Sequence, residues 1–170
     1  MDIVFVAGFA HPPNEDAACW FMREVLGKVR LKHPGATLSI VGSQPTARVR
    51  SLAGNGVTVL ADVDDAKLLE VYRRARVAVV PLRWGAGVKL KVVEALREGV
   101  PLVTTPVGAQ GLPGVCDVAF VRDTAESFAR AVCELLSDDT VWKRCCAKQI
   151  EYAVARFNKS ALQESIMNAL

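Results

Sequence analysis

The sequence contains few of the residues that metal centres and disulfide frameworks require. It has two histidines and five cysteines, with no CxxC pair, so neither a zinc site nor a thiol redox motif is indicated. We interpret the cysteines as small buried hydrophobic residues of a protein from a reducing compartment. No apolar stretch reaches the roughly 18 residues of a membrane-spanning helix, and the opening "MDIVFVAG" lacks the pattern of a signal peptide.

Charge of one sign is also scarce. The formal net charge is +3 and no run of five or six like charges occurs, so nucleic acid is not an expected partner. The chain has 170 residues, of which 51% are hydrophobic and 23% charged. These values exclude a disordered chain and suit a single domain with a buried core.

Short apolar runs alternate with amphipathic stretches along the whole chain. The runs rich in β-branched residues, which predict buried strands, cover residues 2–8, 36–42, 57–63, 76–82, 101–105 and 117–121. Stretches with apolar residues at helical spacing cover residues 15–32, 46–53, 64–75, 90–98, 125–136, 139–157 and 160–169. Alternating strands and helices with short loops predict an α/β fold, with a parallel sheet of about six strands covered by helices on both faces.

Local signals suggest where several helices begin and end. Asn14 is expected to cap the first long helix, and Asp123 with Glu126 resembles a capping box for the helix over residues 125–136. Gly99, followed closely by Pro101, marks the end of the helix over residues 90–98.

Ligands of parallel α/β sheets bind at the carboxyl ends of the strands. The loops at that edge are residues 8–15, 42–46, 61–65, 82–91 and 104–112. The first contains Gly8 alone instead of the G-x-G-x-x-G pattern, which argues against a dinucleotide. No Walker lysine motif occurs either.

The loop over residues 82–91 is the richest in groups that attract an anion. Gly85 and Gly87 allow a ligand to approach the backbone closely, and a helix follows whose first N–H groups favour negative charge. A helix that began at Gly87 would place Lys89 on the same face as apolar residues and would bury its ammonium group. We therefore expect the helix to begin near Leu90, with Lys89 in the loop facing the anion.

Lys91 and Glu94 are three residues apart and share one face of that helix. One interpretation is a surface ion pair, which contributes about 0.2–0.5 kcal/mol. The other is a pocket for a nucleoside diphosphate, in which lysines neutralise the phosphates and the glutamate accepts hydrogen bonds from sugar hydroxyls. Thr105, in the loop after the fifth strand, offers a hydroxyl to the same crevice or belongs to an ordinary turn.

The segment "PLRWGAGVKLKVVEALREGVPLVTTPVGAQGL" resembles the signature of the GT-B glycosyltransferases, and specifically the nucleotide-sugar-binding C-terminal domain of the retaining group 1 family. "HPPNEDAACWFMREVLGKVRLKHPGATLSIVG" resembles the same domain's opening unit, so the resemblance covers nearly the whole chain. It implies a Rossmann-like fold and a UDP-, GDP- or ADP-sugar donor, transferred with retention and without a metal or other cofactor.

The resemblance also implies roles for individual residues. Lys89 and Glu94 are the expected catalytic residues, with Glu94 on the ribose hydroxyls. The expected donor-binding residues are Gly8, Asp62, Val63, Arg83, Gly85, Gly87, Val88, Lys91 and Thr105. We expect Lys89→Ala to weaken nucleotide binding more than Lys91→Ala. Ala86 departs from the family, since many members carry a glutamate there.

The resemblance further implies that residues 1–170 are one half of a two-domain enzyme. The acceptor, a glycan or a lipid-linked molecule, would bind an N-terminal domain absent from this chain, and the half alone would be inactive. A cytoplasmic location is expected, with contact to the inner membrane surface only through that other domain. Two alternatives stay open: a degenerate, non-catalytic nucleotide-binding or protein-association module, and part of a nucleotide-sugar epimerase.

Overall fold

The computed structural model describes residues 3–157, which form one six-stranded sheet with helices on both faces. Every strand is parallel to its neighbours, and the expected α/β, Rossmann-like architecture is confirmed. The strands are β1 Ile3–Val6, β2 Leu38–Gly42, β3 Val57–Ala61, β4 Val77–Val80, β5 Leu102–Thr104 and β6 Phe120–Val121. Each lies inside the corresponding apolar run of the sequence.

Helices alternate with the strands as far as β5, and two consecutive helices follow β6. The helices are α1 Pro12–Trp20, a π-helical segment Phe21–Leu26 continuous with α2 Gly27–Lys32, α3 Ala47–Arg50, α4 Asp65–Arg74, α5 Leu90–Arg97, α6 Ala125–Ser137 and α7 Asp139–Phe157. A short 3-10 turn, Val115–Asp117, precedes β6. The helix expected over residues 160–169 lies outside the described residues.

The strand order β3-β2-β1-β4-β5-β6 fixes where the ligand edge lies. The chain runs outward from β1 to β3 and then returns to the other side of β1 for β4. Strand order therefore reverses between β1 and β4, and a crevice opens there at the carboxyl ends of the strands. The loop after β1 and the loop that leads into α5 flank this point.

The core consists of the strands and the helix faces that cover them. All four residues of β4 are buried, as expected for a strand covered on both faces. On one face the rings of Trp20 and Phe21 pack edge-on against Phe128, with centroids 5.9 and 6.0 Å apart. These contacts fix α6 against the long first helix.

Three local expectations require correction. Asn14 does not cap α1: the helix begins at Pro12, and Asn14 lies inside it with its side chain buried. The capping box of α6 consists of Thr124 and Ser127, not of Asp123 and Glu126. The expected burial of the cysteines is confirmed for Cys19, Cys133 and Cys145, whereas Cys146 is half-buried and Cys116 is exposed.

Candidate functional site at the carboxyl edge of the sheet

A cleft of about 280 Å³ opens at the carboxyl ends of β1 and β2. The loop after β3 forms one wall, and the first turn of α5 forms another. Its lining residues are Val6, Ala7, Gly8, Val41, Gly42, Ser43, Asp62, Val63, Leu68, Leu90, Lys91 and Glu94. The cleft thus brings together five residues of the expected site, from two loops and helix α5: Gly8, Asp62, Val63, Lys91 and Glu94.

The helix that supplies the two charged residues begins at Leu90, with Lys89 in the N-cap position. This confirms the expected start, which followed from the cost of burying the Lys89 ammonium group. The Lys89 side chain accepts no capping hydrogen bond, so the first N–H groups of α5 stay available to a ligand. The Leu90 side chain is 76% exposed at the rim of the cleft.

Lys91 presents its ammonium group inside the site rather than at the outer surface. Its Nζ donates a hydrogen bond to Oδ1 of Asn14 and lies 5.7 Å from the centre of the Phe5 ring. Burial and, to a lesser extent, the positive charge of Lys89 lower the pKa of Lys91 to about 8, while Glu94 opposes the change. A buried cation with a depressed pKa gains most from an anion placed beside it.

Glu94 lies one turn further along α5. Its Oε2 accepts a hydrogen bond of 3.4 Å from the Tyr72 hydroxyl of α4. Burial and the nearby Glu94 charge raise the pKa of Tyr72, so the hydroxyl stays protonated and donates to the carboxylate. No ion pair within 4 Å joins Glu94 to Lys91 among residues 3–157, and the simple surface-pair interpretation is not realised.

We expected the Lys89 side chain to face a bound anion, but it lies outside the cleft. Its Nζ turns back and donates to the carbonyl of Gly87 at 2.5 Å, and it does not line the cleft. Desolvation lowers its pKa. Because Lys91 is the lysine in the cleft, the structure favours a greater loss of ligand binding from Lys91→Ala than from Lys89→Ala.

The glycine loop before α5 has the backbone that only glycine adopts readily. Gly85 has φ +124° and Gly87 has φ +75°, and no heavy atom lies within 4 Å of a Cβ built on Gly87. Val88 is half-exposed beside Gly111 of the next loop. The loop is therefore open on the side from which a ligand would approach the α5 amides.

The opposite wall is formed by backbone and small residues. A Cβ on Gly8 would meet only the Ser43 hydroxyl, at 3.3 Å. Asp62 has a positive φ of 50°, and its Oδ1 accepts from the Gln44 amide at 3.1 Å. This bond holds the loop after β3 against the loop after β2 and shapes the side of the cleft.

Five expected donor-binding residues do not line the cleft: Gly85, Gly87 and Val88 of the glycine loop, together with Arg83 and Thr105. Arg83 forms a two-bonded ion pair with Asp16 of α1, at 2.9 and 2.5 Å, and this partner lowers the pKa of Asp16. Thr105 is 4% exposed, donates its hydroxyl proton to the Leu82 carbonyl and accepts from the Gly108 amide. The Arg83 side chain thus joins its loop to α1, and the Thr105 side chain joins the loop after β5 to the loop after β4.

Sequence reasoning missed two residues that contact the charged groups. Asn14 bonds Lys91, and Tyr72 bonds Glu94. For Tyr72, the helical spacing indicated only an apolar face, although a tyrosine hydroxyl that points inward requires a polar partner. Asn14 was interpreted as a helix cap, and this interpretation gave no indication of its long-range hydrogen bond with Lys91.

A second opening, of about 400 Å³, adjoins the cleft through Leu68 and Glu94. A third cavity lies apart from it, between the edge of β6 and α7, and is lined by Arg122, Arg144 and Lys148 among others. No group of three or more His, Cys, Asp or Glu residues suited to a metal ion occurs within residues 3–157.

Sequence comparison identifies the chain's relatives. Residues 1–138 match the family described as Glycosyl transferases group 1. The chain belongs to this family. A curated relative, an uncharacterized 44.6 kDa protein in the cps region of Klebsiella pneumoniae, is 26% identical over 117 residues, which are 65% of this chain and 30% of that protein. The chain thus spans about a third of the length of this curated relative.

Solved glycosyltransferases share the fold. S. aureus TarM, in a complex that includes UDP, aligns with a TM-score of 0.80 at 12% identity, over 98% of this chain and 34% of that chain. The C-terminal domain of a glycosyl transferase group 1 protein from Francisella tularensis aligns with a TM-score of 0.68 at 14% identity, over 93% and 86%. At such identities the likeness establishes the fold of this group 1 domain and nothing finer.

None of the helices within residues 3–157 combines the length and the apolar character that crossing a bilayer requires.

Proposed function

We propose that the cleft binds the nucleoside diphosphate of a UDP-, GDP- or ADP-sugar, and that the chain is the donor-binding domain of a hexosyltransferase. The observation that carries the proposal is the placement of the Lys91 ammonium and the Glu94 carboxylate in one cleft at the carboxyl edge of the sheet. One group suits phosphates, and the other suits sugar hydroxyls. Neither charge is neutralised by an ion pair within residues 3–157.

The diphosphate would lie against the start of α5. Exposed N–H groups at a helix N-terminus attract anions, and the helix dipole adds to the attraction. Lys91 supplies a full charge from a partly desolvated position, where an ion pair is worth more than at the surface. Gly85 and Gly87 leave the approach to these amides free of side chains.

The nucleoside would lie along the opposite half of the cleft. Glu94 accepts from the ribose hydroxyls, with Tyr72 holding one of its two carboxylate oxygens. The loop at Asp62 and Val63 borders the base through backbone groups. S. aureus TarM has been solved with UDP, and an E. coli trehalose-6-phosphate protein of the same fold has been solved bound with UDP-2-fluoro glucose (TM-score 0.72, 16% identity, covering 99% of this chain and 43% of that chain).

The proposed reaction transfers the sugar with retention to a glycan or lipid-linked acceptor held by a second domain, on the cytoplasmic side of a membrane. In this scheme Lys91, Lys89 and the α5 N-terminus stabilise the charge that develops on the leaving diphosphate, and no metal is assigned to the step. The donor-binding half alone would bind the nucleotide without transferring a sugar.

Calorimetry with UDP, GDP and ADP tests the proposal. We expect one of the three to bind, with Lys91→Ala weakening binding by at least tenfold and Lys89→Ala by less. Lys148→Ala, which removes an exposed lysine of α7 outside the cleft, serves as the control and should leave the affinity unchanged. Failure of all three nucleotides to bind at millimolar concentration would contradict the proposal.

Ala86 favours a second candidate, a nucleotide-binding module without transferase activity. The exposed Ala86 leaves the glycine loop without the carboxylate that the resemblance to the group 1 signature leads us to expect there. This candidate predicts nucleotide binding by the chain, together with no sugar transfer and no donor hydrolysis by the longer protein. Detection of either reaction would exclude it.

A further inference from the structure

Asn14 joins the two sides of the cleft although it stands in the first turn of α1. The residue is 7% exposed. Its Nδ2 donates to the Gly8 carbonyl at 2.6 Å, and its Oδ1 accepts from Nζ of Lys91, 77 residues away in the sequence. A single amide thereby ties the loop after β1 to the first turn of α5.

The neutral amide suits this position because it orients a cation without cancelling its charge. An ammonium group has three donors. One is used by Asn14, and the Phe5 ring covers another side. The charged groups that act on Lys91 are Lys89, which repels it, and Glu94, which attracts it. A carboxylate in place of Asn14 would form an ion pair and leave less charge for a ligand.

Within residues 3–157, Asn14 is the only hydrogen-bond partner of the Lys91 ammonium group. Lysine has a long flexible stem, and its ammonium group is strongly hydrated. Lys89, two residues earlier, illustrates the outcome, since its Nζ folds back onto the Gly87 carbonyl. The difference between the two lysines is the presence of a fixed acceptor inside the cleft.

We propose that Asn14 is a positioning residue that holds the Lys91 ammonium group in the cleft, ready for the diphosphate of the donor. The proposal rests on the proposed function, because it assigns Asn14 to the site that binds the nucleotide. Asn14 acts through Lys91 and makes no contact with the ligand itself.

A double-mutant cycle separates this role from a structural one. The affinity of whichever of UDP, GDP and ADP binds most tightly is measured for the wild type, Asn14→Ala, Lys91→Met and the double variant. We expect Asn14→Ala to weaken binding about tenfold, as for a lost hydrogen bond to a charged group, and to cause no further loss in the Lys91→Met background. Equal losses in both backgrounds would mean that Asn14 acts through the Gly8 loop, and would overturn the proposal.

A titration without nucleotide tests the contact itself. In protein labelled with ¹³C-lysine, the pKa of Lys91 is followed by NMR. Asn14→Ala should lower this pKa below its wild-type value of about 8, because an acceptor of the charged form is lost, whereas Asn14→Asp should raise it through an ion pair. Opposite shifts support the proposal, and an unchanged pKa in the folded variants overturns it.

The two measurements fail in distinguishable ways. If the wild type binds none of the nucleotides, the proposed function is wrong, and the titration alone decides whether Asn14 holds Lys91. If Asn14→Ala does not fold by circular dichroism, Asn14→Asp, which keeps an acceptor oxygen, takes its place in both measurements. Asn55→Gly, at an exposed position with φ 50° where glycine fits, is the control and should shift neither readout.

Discussion

At the scale of single residues, the site is built from charges that the fold keeps partly out of water. Lys91 is the clearest case, with a pKa depressed by burial and by a neighbouring lysine. Its only described hydrogen-bond partner is the neutral amide of Asn14. A partly buried ammonium group of this kind lowers the stability of the free protein, and its burial becomes favourable when an anion binds beside it.

The stability of the chain should depend on pH through Lys91. Its folded pKa of about 8 lies below the ordinary value of 10.5, so between these values the unfolded chain binds the proton more tightly. The free energy of unfolding therefore rises with pH across this window, by about 3 kcal/mol in total for this group. Urea unfolding at pH 7.5 to 9.5 should show the rise in the wild type and its absence in Lys91→Met.

The same substitution should separate stability from binding. At pH 7 we expect the free energy of unfolding of Lys91→Met to exceed that of the wild type by about 2 kcal/mol, because methionine fills the site without a charge. Nucleotide binding should weaken at least tenfold but stay measurable. Lys148→Met is the matched control, and a Lys91→Met variant less stable than the wild type would show that the ammonium group is well solvated or well paired.

Glu94 should discriminate ribose from deoxyribose. We expect the wild type to bind the best nucleoside diphosphate about tenfold more tightly than its 2′-deoxy counterpart, since an acceptor for a hydroxyl proton would be left unused. In Glu94→Gln this preference should shrink, while the packing of the side chain is retained. Calorimetry with both nucleotides measures it, and an unchanged preference in the variant would place the ribose elsewhere.

At the scale of secondary-structure elements, the carboxyl edge of the sheet depends on a glycine that tolerates no side chain. A Cβ on Gly42, at the end of β2, would lie 1.7 Å from the carbonyl oxygen of Ala7. This close approach brings the ends of β1 and β2 together and leaves room for the cleft between their loops. By contrast, Gly27 of α2 has no atom within 4 Å of a built Cβ.

These two glycines should respond to alanine in opposite directions. Gly42→Ala should destabilise the chain severely or prevent folding, since backbone atoms must move. Gly27→Ala should raise the free energy of unfolding by about 0.5–1 kcal/mol, because alanine is the better residue inside an exposed helix. Thermal and urea unfolding of both variants measure this, and a tolerated Gly42→Ala would contradict the described approach of β1 and β2.

The elements themselves were largely predictable from the sequence, whereas several side-chain partners were not. The buried strands carry β-branched runs, and the start of α5 followed from the cost of burying Lys89. The start of α1 was misplaced, because Pro12 and Pro13 are compatible with a helix's first turn and made Asn14 an interior residue. Which lysine faces the cleft depends on Asn14 and Phe5, which meet Lys91 only after the strands assemble.

At the scale of the whole molecule, the strand order determines which loops can cooperate. Reversal of the order between β1 and β4 places the loop after β1 opposite the start of α5, and the loops after β2 and β3 complete the cleft on one side. The basic cavity beside β6 lies at the far edge of the same sheet. Because the two openings share no residue, a ligand in one should leave the other undisturbed.

The most direct test of the central claim is a ¹H–¹⁵N correlation spectrum recorded as UDP, GDP and ADP are added in turn. We expect one nucleotide to shift the amide signals of the cleft, in particular those of Gly8, Asp62 and Lys91, and to leave those beside Arg122 and Lys148 in place. Shifts confined to the Arg122 and Lys148 cavity, or no shifts with any of the three at millimolar concentration, would contradict it.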